Sequence, residues 1–110
     1  MANALAPQPV AILTDSYATI YTVPAGKVAT VKWFSLANTG DDDVAVDVCL
    51  VPNGESAGAA YMIVPTFTLV AHDVLALFKD DGWPADSTLQ AKAAIASVVT
   101  LKLNLIESDE

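Results

Sequence analysis

Residues Ile20–Gly40 read IYTVPAGKVATVKWFSLANTG. The first part closes an alternating run that begins at Tyr17, with Tyr17, Thr19, Tyr21 and Val23 on one face and Ala18, Ile20 and Thr22 on the other. Pro24 presets φ for the second position of a tight turn, and Gly26 accepts positive φ at the third. Lys27 to Ala37 then form a second strand, ended by NTGD. Strict alternation puts Val31 and Trp33 on one face of that strand and Val28, Phe34 and Leu36 on the other. An antiparallel strand normally keeps one wet face. A strand apolar on both sides predicts a core beneath it and a second cover above it, supplied by another subunit, a larger shell, or the protein's own loops.

The same reading extends along the chain. Val44, Val46, Val48 and Leu50 share a face opposite Asp43, Ala45, Asp47 and Cys49, and PNGESAGA follows as an exposed tip. YMIVPTFTL sets Tyr61, Ile63, Pro65 and Phe67 against Met62, Val64, Thr66 and Thr68; Pro65 marks an edge strand or a bulge, because it cannot donate to a ladder. AHD turns into VLALF, and KDDGWPAD makes a loop. DSTLQAKAAIAS reads as a helix capped by Asp86 or as a strand with Leu89, Ala91, Ala93 and Ile95 inward. The regular spacing of its neighbours favours the strand. The last strand places Val99, Leu101, Leu103 and Leu105 inward and Thr100, Lys102 and Asn104 outward. The expected fold is all-β: one antiparallel β-sandwich with jelly-roll-like winding over residues 17–110, preceded by an extended N-terminal arm at 1–16. Pro7 and Pro9 keep the arm extended, and its Leu5, Val10, Ile12 and Leu13 are too apolar for an idle tail.

At 110 residues the chain is one domain in size. Hydrophobic residues make up 54% of it, a surplus that predicts apolar surface covered by a partner. Thirteen acidic residues face five lysines, for a net charge of −8. That balance opposes phosphate, so no nucleic-acid partner is expected. No apolar run is long enough to span a bilayer as a helix, and the N-terminus lacks the basic region of a signal peptide; no membrane partner and no secretion are expected.

Chemistry-bearing residues are sparse. Cys49 is the sole cysteine, set in an apolar strand where a buried inert thiol is expected. His72 is the sole histidine, in a turn without a second imidazole to share a metal. NTGDDD and KDDG lack the ligand spacing of a calcium loop. No nucleophile elbow, phosphate loop or dinucleotide fingerprint occurs. The sequence predicts a non-enzyme with no cofactor and no metal.

IYTVPAGKVATVKWFSLANTG, the loop PNGESAGAA and the closing ADSTLQAKAAIASVVTLKLNLIE together resemble small β-sandwich structural proteins of tailed-bacteriophage virions, over most of residues 17–106. The departures are Trp83 in a turn that is usually small and polar, and the proline-bearing arm. The resemblance implies a virion component, such as a capsid cement or decoration protein, a head fibre, or a tail part. Cement on the capsid exterior, partnered by the major capsid protein and assembled as a homotrimer, is the first expectation. A tail or fibre module reading host glycans is the alternative, with Tyr61, Trp83 and the PNGESAGA loop as its site. Candidate interface residues are Leu5, Val10, Ile12, Leu13, Trp33, Phe34, Tyr61 and Trp83.

Overall fold

Turn signals cut the alternating sequence into eight strands among residues 10–109, which are the residues that the computed structural model describes. They are β1 (Val10–Ile12), β2 (Ala18–Thr22), β3 (Lys27–Asn38), β4 (Val44–Val51), β5 (Met62–Leu69), β6 (Val74–Trp83), β7 (Thr88–Ala93) and β8 (Val99–Asp109). The first sheet has the order β1-β8-β3-β6 and the second β2-β7-β4-β5, with every pairing antiparallel. The chain is thus a nested hairpin (β1 with β8, β2 with β7, β3 with β6, β4 with β5) rolled up so that β8 also meets β3 and β7 also meets β4. This is the jelly-roll-like β-sandwich expected from the sequence. DSTLQAKAAIAS supplies β7, a strand and not a helix.

The two-faced strand resolves into a β-bulge. Along β3 the pairing moves from Val31↔Leu105 to Trp33↔Asn104, so two residues of β3 oppose one of β8. The extra residue inverts the alternation. Ala29 and Val31 before the bulge and Phe34 and Leu36 after it all point into the same core and are fully buried. The other face carries Val28, Thr30, Trp33, Ser35 and Ala37, none of them fully buried. Phe34 and Leu36 therefore need no second cover.

The core lies between the sheets. Its members include Val44, Val46 and Val48 from β4, Leu89, Ala91 and Ala93 from β7, and Val99, Leu101, Leu103 and Leu105 from β8. A second irregularity, between Thr19 and Tyr21 of β2, accompanies the packing of both Ile20 and Tyr21 against that core. Pro65 falls within β5, an edge strand, where the register shifts between Val46↔Phe67 and Val48↔Val64. Edge position and bulge both spare a proline its missing donor.

Four further expectations change. Val10–Ile12, placed in the arm by sequence, pair with β8 as an edge strand, and Leu13 is buried in the core. KDDGWPAD is not all loop: β6 runs on to Trp83, which pairs with Ala29 and is buried. Ile95 lies beyond the end of β7 and is exposed. The PNGESAGA stretch is exposed at Pro52–Ser56, but it then folds back, so that Gly58 offers its carbonyl to the Cys49 thiol at 3.6 Å. Cys49 and Val51 are both buried on the outer side of β4.

Candidate functional site

The two outer faces of the sandwich differ in chemistry. On the second sheet, polar side chains neutralise one another. Asp47 pairs across the ladder with Lys92, its Oδ2 3.9 Å from Nζ, and also accepts from the Thr66 hydroxyl. Lys92 Nζ lies 4.7 Å from the centroid of the Tyr17 ring, within cation–π range. Burial, and next the neighbouring Cys49 thiol, push the Tyr17 hydroxyl well above the ordinary tyrosine range.

The outer face of the first sheet is built otherwise. Two side-chain rows cross all four strands: Ile12, Thr100, Ala37 and Val74 in one, Val10, Lys102, Ser35 and Ala76 in the next. Ser35, Ala37 and Thr100 on the central strands are short and leave the middle of the face low beside Lys102, while apolar side chains on the edge strands stand at its rims. Val10, Ile12 and Val74 are 59%, 63% and 58% exposed. Ser35, Ala37, Thr39, Val74, Thr100 and Lys102 line a trough of about 340 Å³. Three strand spacings separate the rims, about 14 Å. Neither row contains a carboxylate, and Lys102 is their one charged residue, although the chain carries −8. Exposed apolar rims around a concave floor are what a docking surface requires.

The acidic turns form no comparable site. His72 Nε2 sits 3.0 Å from Asp41 Oδ1, both exposed. Asp43 accepts the Ala71 N–H at 3.1 Å and Asp73 the Val74 N–H at 2.8 Å, so these carboxylates brace turns. Among the described residues no three histidine, cysteine or acidic side chains converge as a metal site.

No protein-family model matches the chain, and no curated protein matches it. A solved structure does. A chain of the acidic stable capsid structure of Helicobacter pylori bacteriophage KHP30 superposes with a TM-score of 0.60 at 14% identity, over 99% of this chain and 95% of that one. At that identity the likeness is one of fold. A pentameric capsid protein isolated from metagenomic phage sequences aligns at 16% identity over 97% of this chain and 62% of that one. Its TM-score of 0.29 is too low to carry an argument.

The candidate interface residues separate into three groups. Val10 and Ile12 stand on the rim of the trough, and Trp33 is half-buried one row further along the same face, opposite Asn104. Leu13, Phe34 and Trp83 are core residues and cannot meet a partner without unfolding. Tyr61 lies far along the chain from these, at the 3-10 turn Ala59–Tyr61, where its hydroxyl donates to Glu55 at 3.0 Å; that bond is the main cause of its raised pKa. Leu5 lies outside the described residues. Sequence reading missed Val74 and the small floor residues Ser35, Ala37 and Thr100. Only cross-strand register brings them together.

Proposed function

We propose that this chain is a bacteriophage capsid cement, or decoration, protein. In this reading it binds the outer surface of the capsid and stabilises contacts between major capsid protein subunits. The end-to-end likeness of its fold to a chain of the KHP30 capsid structure carries the proposal. Its composition and surface are consistent with a structural task. The acidic surface favours solubility at high local density and disfavours nucleic acid. Two rows across the first sheet, rimmed by Val10, Ile12 and Val74 and free of carboxylates, offer a surface for protein contact.

Assembly as a homotrimer follows the same logic. Several weak contacts made by one oligomer hold it on a lattice far longer than one contact holds a monomer. Host-glycan recognition loses support from the structure. Trp83, one of the two aromatic residues it relied on with Tyr61, is inside the core.

Quantitative mass spectrometry of purified virions tests the proposal. Cement predicts a copy number comparable to that of the major capsid protein and antibody label spread over the head. A handful of copies confined to one vertex would overturn it in favour of a tail component.

A further inference from the structure

We propose that the trough on the outer face of the first sheet receives residues 1–9, MANALAPQP, of a neighbouring copy of this chain. The inference rests on the oligomeric part of the reading above and is independent of its capsid part.

The segment starts at the trough itself. It joins β1 at Val10, whose ladder partner Lys102 is a lining residue. It cannot simply continue the ladder along β8. The Leu13 N–H donates to the Val99 carbonyl at 2.8 Å, so in this register odd-numbered residues of the strand turn their N–H groups toward β8. Continuing toward residue 1 would set Pro9 against Leu103 and Pro7 against Leu105, where donors are needed and proline has none.

Those prolines also decide between the chain's own trough and a neighbour's. From Ile12 to Val10 the strand runs from the Thr100 row to the Lys102 row, so its N-terminal direction leads away from the trough's far end. Re-entering the same trough requires a reversal directly before Val10. Pro7 and Pro9 fix φ, and Ala6 and Gln8 before them are biased to extended backbone. A reversal there is therefore disfavoured, and nine residues of chain reach at most about 30 Å.

The chemistry of segment and trough agrees. Copies that each carry −8 repel one another. Contact between them is favoured where charge is lowest on both sides. Residues 1–9 contain no charged side chain, and the two rows of the trough contain no carboxylate. Leu5 is flanked by Ala4 and Ala6, so a slim extended strip with one large apolar side chain meets a floor of Ser35, Ala37 and Thr100. Exchange of a terminal segment between identical protomers is a low-cost route to an oligomer.

Cysteine cross-linking of the full chain, without capsids, tests the proposal; the native Cys49 is buried and stays out of the reaction. Chains carrying Leu5→Cys are mixed with chains carrying Ala37→Cys and mildly oxidised. The mixture is expected to form linked heterodimers at least about tenfold faster than Leu5→Cys with Thr68→Cys, an exposed position on the other sheet, because docking raises the effective concentration. Equal rates would overturn the proposal. In the double variant Leu5→Cys with Ala37→Cys, concentration-dependent ladders support exchange, and a bridge closing within one chain overturns it. Native mass at micromolar concentration gives a second reading: the unaltered chain exceeds a monomer, and Leu5→Asp returns it toward one. A monomeric unaltered chain, an unchanged mass for Leu5→Asp, or cross-links that form only when capsids are added would each overturn it. None of these results bears on copy number per virion, which tests the cement reading separately.

Discussion

Asn38 ties three segments together through one buried amide. It ends β3 at 2% exposure. Its Nδ2 donates to the carbonyls of Asp42 at 2.8 Å and Leu69 at 3.1 Å, and its Oδ1 accepts the Gly40 N–H at 3.0 Å. Its backbone N–H donates to the Asp73 carbonyl at 2.9 Å. Asn38→Leu keeps the approximate volume and leaves those side-chain partners without a bond. The expected loss is about 2–4 kcal/mol, measured as a lower urea midpoint with an unchanged slope; a loss under about 0.5 kcal/mol would show that water replaces the amide. In the sequence, NTG announced only the end of a strand. Asparagine is common in turns, and nothing local told of Leu69 and Asp73 closing over it. Gly40 follows from the same crowding, since a Cβ there would approach Val98 Cγ1 to 3.1 Å. Tyr21 makes a second residue-scale case. Burial, then its hydrogen bond to Glu107, raise its pKa above the ordinary value of about 10. Below that value both folded and unfolded chains hold the proton and the contribution is fully present. Above it the unfolded chain ionises first, so stability falls as pH rises toward the folded pKa. Tyr21→Phe should therefore flatten the decline of melting temperature between pH 9.5 and 11 (roughly the window that opens at the free tyrosine pKa). An unaltered decline would assign it to other groups.

Among the strands, β8 was the most legible and β3 the least, for one physical reason. β8 alternates without interruption, so parity alone identified Val99, Leu101, Leu103 and Leu105 as buried. In β3 a single inserted residue reverses parity halfway, and period-2 reading then splits one buried face into two. Bulges have no short-range signature here, and the pairing that reveals this one spans the whole chain. The same holds for Trp83. A tryptophan between Gly82 and Pro84 reads as loop, yet its partner Ala29 is small enough to let the indole into the core. Trp83→Ala is expected to cost about 3–5 kcal/mol, seen in denaturant unfolding. A cost near that of a surface change would mean that the tip of β6 is not packed as described. The register of β8 is checked by a neighbouring pair. Leu103→Asp places an unpaired charge in the core and should destabilise by several kcal/mol, about the upper end for point changes. Lys102→Asp points into solvent at the trough and should leave stability within about 0.5 kcal/mol. Similar losses from both would refute the assigned register.

At the scale of the fold, Asp41, Asp43 and Asp73 gather in turns, whereas two rows across the first sheet carry no carboxylate. That separation was only partly visible beforehand. The 54% hydrophobic composition announced surplus apolar surface, and Val10 and Ile12 were recognised as part of it. Val74 was not, because a lone valine at the start of a strand gives no sign that its row ends at Ile12 three strands away. Net charge sets a simple expectation: at physiological salt the protein should not retard DNA in a gel, and clear retardation would require a hidden basic surface. The N-terminal stretch gives the sharper test, because residues 10–14 pair and pack within the sandwich while residues 1–9 are the segment proposed to dock on a neighbour. Leu13 is a buried core residue, its N–H donates to the Val99 carbonyl, and its carbonyl accepts from Ser97 at 3.0 Å. Thr14 accepts the Ala93 N–H at 2.9 Å. Removing residues 1–14 takes away an edge strand and a side chain whose burial contributes about 1.5–3 kcal/mol. It also strips partners from Val99, Ser97 and Ala93, at about 1 kcal/mol or more each where water cannot replace them. Against a typical domain stability of about 5–15 kcal/mol, that loss should leave the chain partly unfolded at room temperature. Removing only residues 1–9 spares every one of these contacts. Its melting temperature, measured at a concentration where the chain is monomeric, should stay within a few degrees, roughly a 0.5 kcal/mol effect. Circular dichroism melts of the two truncations separate the roles. If the shorter truncation unfolds as readily as the longer, residues 1–9 belong to the sandwich itself; if the longer one melts like the intact protein, β1 and Leu13 are not part of the core.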